Sequence, residues 1–115
     1  MDAETVAASL RRYETTHRDE RELQEALAGI FERAGIPATA EVMLGPGCRI
    51  DFLVDRVGIE VKVDGAPAAV RRQLVRYLEC DAVDEVLLVT TRAAHRALAG
   101  PLAGKRVGVL VMGRP

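Results

Sequence analysis

The segment from Arg49 to Val63, RIDFLVDRVGIEVKV, sets two carboxylates and an ammonium among two apolar runs. Successive side chains of an extended chain point to opposite faces. Ile50, Phe52 and Val54 are therefore expected on one face, with Ile59, Val61 and Val63 on the matching face of the next strand. The opposite face then carries Arg49, Asp51 and Leu53 beside Glu60 and Lys62. If Asp55-Arg56 is the turn, Val54 pairs with Val57 and Asp51 falls opposite Glu60. A turn two residues longer sets Asp51 opposite Lys62 instead. Parity keeps Asp51, Glu60 and Lys62 together in both registers.

Carboxylate oxygens with a backbone carbonyl, here that of Val61, suit Mg²⁺ or Mn²⁺. Such an ion polarises a phosphodiester and acidifies a bound water. Lys62 would orient that water or neutralise charge developing on the phosphorane. Only Lys62 and Lys105 are lysines among the 16 basic residues, so a reaction needing an ammonium has few candidates. Glu-x-Lys alone is common on solvated hairpins. An aspartate brought by parity to the same face, between apolar strand faces, sets this one apart.

These strands need helices to cover them. Residues 1–18 read as a polar helical extension with a thin stripe of Val6, Leu10 and Tyr13. Asp19 is a good N-cap for a stronger helix in which Leu23, Leu27, Ile30, Phe31 and Ala34 recur at helical spacing. Gly35 and Pro37 end it. Extending that stripe back one turn reaches Glu20, an unusual carboxylate for an apolar face. Strands are predicted over 39–44, 49–54 and 57–63, with Gly45-Pro46-Gly47 as the first turn. A helix over 68–80 buries Val70, Leu74, Tyr77 and Leu78. EVLLVT, Glu85 to Thr90, reads as a strand covered on both faces. A short helix over 93–99 ending at Gly100-Pro101 and a last strand over 107–112 complete a single domain spanning 1–115. The order α-β-β-β-α-β-α-β predicts an α/β fold with a mixed central sheet flanked by helices.

Asp51 followed by Glu60-Val61-Lys62 after a hairpin resembles the signature of the PD-(D/E)XK nuclease superfamily, across about residues 19 to 90. Ile50 stands where the family pattern has proline. The resemblance implies a restriction-endonuclease-like α-β-β-β-α-β core with an extra C-terminal helix and strand. It implies Asp51 and Glu60 as metal ligands and Lys62 as the catalytic lysine. Many members carry a glutamate on the preceding helix that points at the metal. Glu20 is similar to that residue, with Glu22 the alternative if the helix is rotated. Gln73-Leu-Val-Arg-Tyr77 is similar to the QLxxY motif of the RecB-like branch, which implies that Gln73 and Tyr77 serve the site. Four residues apart on a helix, they share a face.

Arg71, Arg72 and Arg76 flank that pair and would add positive potential for nucleic acid. His95 could join Arg92 and Arg96 on phosphate or be a solvated helix end, and Asp64 could assist the site or cap a turn. Cys48 and Cys80 have no metal spacing and are expected as small buried or half-buried residues. A net charge of −1 does not advertise nucleic-acid binding, although a local basic face can coexist with a carboxylate cluster. The longest apolar run is too short for a membrane span. The charged start lacks the apolar stretch of a signal peptide, so a cytoplasmic location is expected. The expected activity is metal-dependent hydrolysis of DNA, with RNA as a second substrate class. The alternatives are a structure-selective endonuclease such as a Holliday-junction resolvase, or a catalytically silent binding module. So small a chain is expected to work as a homodimer, through the N-terminal helix or the last strand.

Overall fold

The computed structural model describes residues 1–113, and its elements follow from capping and turn chemistry. Helix α1, Ala3–Leu10, starts where the Asp2 carboxylate accepts from the Thr5 N–H at 2.8 Å. Helix α2, Glu20–Ala34, is capped likewise by Asp19, which accepts from the Glu22 N–H at 2.8 Å. It stops at Gly35, whose φ of 70° is left-handed, and the Ile36 N–H closes back on the Phe31 carbonyl at 2.8 Å. Strand β1, Thr39–Gly45, and strand β2, Cys48–Val54, meet at Pro46-Gly47. Asp55-Arg56 then leads into β3, Val57–Lys62; Asp55 takes φ 52°, a conformation aspartate tolerates in hairpin turns. Helix α3, Pro67–Leu78, opens on proline. Strand β4 is Glu85–Thr90, a 3₁₀ helix spans Ala93–Leu98, and β5, Gly100–Leu102, precedes β6, Lys105–Val111.

The six strands form one mixed sheet in the order β1-β2-β3-β4-β6-β5. β1-β2, β2-β3 and β5-β6 are antiparallel, whereas β3-β4 and β4-β6 are parallel. The fold is therefore α/β, and the order from α2 to β4 is the predicted α-β-β-β-α-β. Val54 pairs with Val57 and Phe52 with Ile59, so the short Asp55-Arg56 turn is the real one. One face of the sheet packs Phe52, Val54, Ile59, Val61, Leu87 and Val89 under α1 and α2. The other packs Ile50, Val86, Leu88 and Val107 under α3. EVLLVT is buried on both sides, as its unbroken apolar run predicts. Among the described residues, no helix is long and apolar enough to cross a membrane.

The structure departs from the sequence reading in four places. The N-terminal segment is helical only to Leu10, and it is no loose extension: Ala3, Val6, Ala7 and Leu10 are buried against the sheet. The last strand lies between β4 and β5, because Gly100-Pro101 begins a short edge strand rather than a coil. The last strand is thus no free edge, and α1 spends its apolar face on the sheet. The short C-terminal helix is 3₁₀, and its histidine is buried. Finally, Ile50 leaves the face of Phe52 and Val54 and joins the α3 side, where its Cδ1 stands over Gly58. The pleat is interrupted at Asp51: across from it Glu41 takes φ 54°, and regular pairing is recorded only on either side, at Ala40 with Phe52 and Val42 with Ile50.

Candidate functional site

Pairing between β2 and β3 stops at Phe52 and Ile59, and beyond that point side chains take the places of backbone partners. The Val61 N–H donates to Asp51 Oδ2 at 2.8 Å, and the Asp51 N–H reaches Glu60 Oε1 at 3.4 Å. Two acidic residues are thereby locked into the notch where the strands part. Asp51 Oδ1 accepts from Gln24 Nε2 of α2 at 3.1 Å. On the α3 side, the Tyr77 hydroxyl donates to Glu60 Oε2 at 2.8 Å, with the Arg49 carbonyl a second acceptor at 3.2 Å. Gln73 Nε2 donates to the Tyr77 oxygen at 2.7 Å. Lys62 Nζ lies 3.7 Å from Glu60 Oε2.

Burial sets the electrostatics. Glu60 is 3% exposed, and its carboxyl is pushed up to about 8, first by desolvation and then by the Asp51 charge. The Tyr77 hydroxyl and Lys62 oppose that shift without cancelling it. Asp51 is also raised by burial, against the pull of the Val61 N–H, Lys62 and Arg49. Glu20 is raised by burial too, with Lys62 opposing; it accepts from the Val63 N–H and feels the Asp51 charge. Tyr77 is driven above its ordinary range by burial and by Glu60, so its hydroxyl stays a donor. Three carboxyls thus lie within the field of the Lys62 ammonium, and burial is the first cause that raises each of them.

These donors fit a small hard cation. Asp51, Glu60 and Glu20 offer carboxylate oxygens. The Val61 carbonyl lies on the same strand edge as its N–H, toward the gap that Asp51 occupies. Among the described residues no three His, Cys, Asp or Glu side chains form a ready metal cage. Mg²⁺ does not require one, since it keeps several waters and binds through one or two carboxylates plus substrate phosphate. Glu20, the first residue of α2, is the helix carboxylate that senses Lys62 and Asp51, whereas Glu22 is paired with Arg18 at 2.9 Å.

The other expected residues divide. Gln73 and Tyr77 do converge on the carboxylate pair, with Tyr77 3% exposed and bonded to Glu60, so together they fix the position of that carboxylate. Arg71 and Arg72 are exposed, and with Ala68, Val75 and Arg76 they line a hollow of about 440 Å³ on α3. Arg76 also donates to the Gly47 carbonyl at 2.9 Å. His95 is no phosphate ligand and no solvated helix end. It is fully buried, with Nδ1 2.6 Å from Thr90 Oγ1 and Nε2 2.7 Å from the Gly65 carbonyl. Asp64 pairs with Arg92 at 2.9 Å and accepts from the Gly65 N–H, so it serves the turn. Gln24 is the residue that sequence reading missed. Its signal was present, because it lies one turn beyond Glu20 on the same helix face. A second concavity, of about 500 Å³, lies at the far end of the sheet beside Asp2, Arg11, Glu85 and Arg106 and shares no residue with the carboxylate site.

No protein-family model, curated protein or solved structure matches this chain.

Proposed function

We propose that this protein is a Mg²⁺- or Mn²⁺-dependent nuclease of the PD-(D/E)XK type that hydrolyses phosphodiester bonds of DNA in the cytoplasm. The observation that carries the reading is the buried Asp51–Glu60 pair, both members held above their ordinary protonation range beside a single lysine. Buried like charges are costly, and such perturbed groups concentrate where chemistry is done. Asp51, Glu60, Glu20 and the Val61 carbonyl would hold the cation. When bound, it supplies Lewis acidity toward the phosphodiester and lowers the pKa of an attacking water.

The protein's own groups do the rest. Gln24 and the Val61 N–H fix the Asp51 carboxylate from two sides. Tyr77, backed by Gln73, fixes Glu60 Oε2. Lys62, about a fifth exposed and 3.7 Å from Glu60 Oε2, would stabilise charge on the phosphorane oxygens. Arg71, Arg72 and Arg76 lie on the helix that carries Gln73 and Tyr77, and they would bind flanking phosphates. One short domain offers little surface to grip a duplex, so two copies acting together are part of the proposal.

Cleavage assays with Mg²⁺ and Mn²⁺ on linear duplex, single-stranded, four-way-junction and RNA substrates test this, beside Asp51→Ala and Lys62→Ala. Cleavage of DNA that needs the metal and fails in both variants supports the reading. Cleavage confined to four-way junctions assigns the resolvase-like alternative. No cleavage of any substrate with either metal overturns it in favour of a silent binding module.

A further inference from the structure

Cys48 opens β2, and Cys80 follows the last turn of α3. Both are free thiols, Cys48 buried and Cys80 half-buried, and both pack in the apolar cluster under α3. Three contacts hold their surroundings together. Arg76 donates to the Gly47 carbonyl at 2.9 Å, Tyr77 reaches the Arg49 carbonyl at 3.2 Å, and the Cys80 thiol reaches the Arg76 carbonyl at 3.4 Å. Residues 47–49 are thus fastened to residues 76–80, and the Cys80 thiol is near enough to act on Cys48. The segment between the cysteines contains Asp51, Glu60, Val61, Lys62, Gln73 and Tyr77; of the proposed site residues, Glu20 and Gln24 lie outside it.

We propose that Cys48 and Cys80 are a peroxide-oxidisable pair whose disulfide closes a covalent ring around the carboxylate site. Cys80, the more exposed thiol, attacks hydrogen peroxide. One oxygen transfers to its sulfur as sulfenic acid, and the other leaves as water. Cys48 sulfur then displaces hydroxide from that sulfenic acid; the S–S bond forms, the S–O bond breaks, and the Cys48 proton leaves with the hydroxide as a second water. The two thiols are oxidised by two electrons in total, and one peroxide is reduced. Burial and the neighbouring Cys80 hold Cys48 above the usual thiol range, which disfavours it as the thiol that meets peroxide first. Because hydrogen bonds already fasten residues 47–49 to Arg76 and Tyr77, the disulfide locks the existing packing of α3 on β2. This inference does not depend on the nuclease reading.

The test treats the reduced full-length chain with hydrogen peroxide and counts thiols after denaturation. The expected outcome is loss of both thiols, a monomer mass lower by two hydrogen atoms, and a cross-linked peptide joining Cys48 to Cys80, all reversed by dithiothreitol. Closing a loop of this length should raise Tm by roughly 10 °C. In Cys48→Ser, the reaction should stop at a sulfenic acid on Cys80 that dimedone traps. Retention of both thiols, cross-linked dimers, sulfinic acid in place of a disulfide, or a Tm unchanged by oxidation would each overturn the proposal.

Discussion

Replacing Glu60 by glutamine should stabilise the metal-free protein, and the gain should depend on pH. In the folded chain the Glu60 carboxyl is pushed up to about 8, against an ordinary value of 4.5 that the unfolded chain recovers. Between those values the folded state holds a proton that the unfolded state has lost. Stability therefore falls as pH rises through this window. Integrating over it gives a loss of about 4 kcal/mol by pH 8 and under about 1 kcal/mol at pH 5. Glutamine carries no charge, and its amide oxygen can still accept from Tyr77. Urea unfolding in EDTA should accordingly show Glu60→Gln more stable than wild type by a few kcal/mol at pH 8 and nearly equal at pH 5. A divalent cation should restore the wild type most at pH 8 and leave the variant unchanged, because binding must displace the proton. A wild type whose stability is flat from pH 5 to 8, or a variant weaker than wild type at pH 8, would refute the claim that burial holds the Glu60 carboxyl protonated.

Other perturbations read out other parts of the fold. Gly58→Ala would place a Cβ 2.5 Å from Ile50 Cδ1 in a fully buried layer, and should cost about 1–3 kcal/mol by urea denaturation. His95→Leu takes the imidazole partner from the Gly65 carbonyl and from the buried Thr90 hydroxyl, which keeps the Arg92 N–H; a loss of about 1–3 kcal/mol in all is expected. Amide exchange in that variant should be fastest at residues 63–65, next to Lys62. Arg71→Ser with Arg72→Ser should weaken DNA binding alike for all sequences and flatten the plot of log K against log salt by about 2, measured by anisotropy.

Much of this architecture was legible because local chemistry and global fold agree. Asp19, Gly35, the Asp55-Arg56 turn and the EVLLVT run each announce their element, and each is where the sequence places it. The carboxylate pair was legible for a similar reason: alternation fixes faces wherever strands are regular. It failed where the strand is irregular. Ile50 lies across the sheet from Phe52 because the pleat breaks at Asp51, and no local pattern marks a break made by a carboxylate bonding the next strand's backbone. Tyr77 was expected both in the apolar stripe of its helix and at the site; it is buried and holds Glu60, a partner that only the docking of α3 on the sheet decides. Gln24 was missed and His95 was ambiguous alone, since their partners Asp51 and Gly65 are distant in sequence and come near only through tertiary packing.

Isothermal titration of the full chain with Mn²⁺ at pH 7, in buffers of differing ionisation enthalpy, is the most direct measurement of the central claim. One ion per chain should bind with proton release, and Asp51→Asn should abolish binding while leaving the fold intact by circular dichroism. Heats no greater than dilution at millimolar Mn²⁺, or undiminished binding by Asp51→Asn, would contradict it.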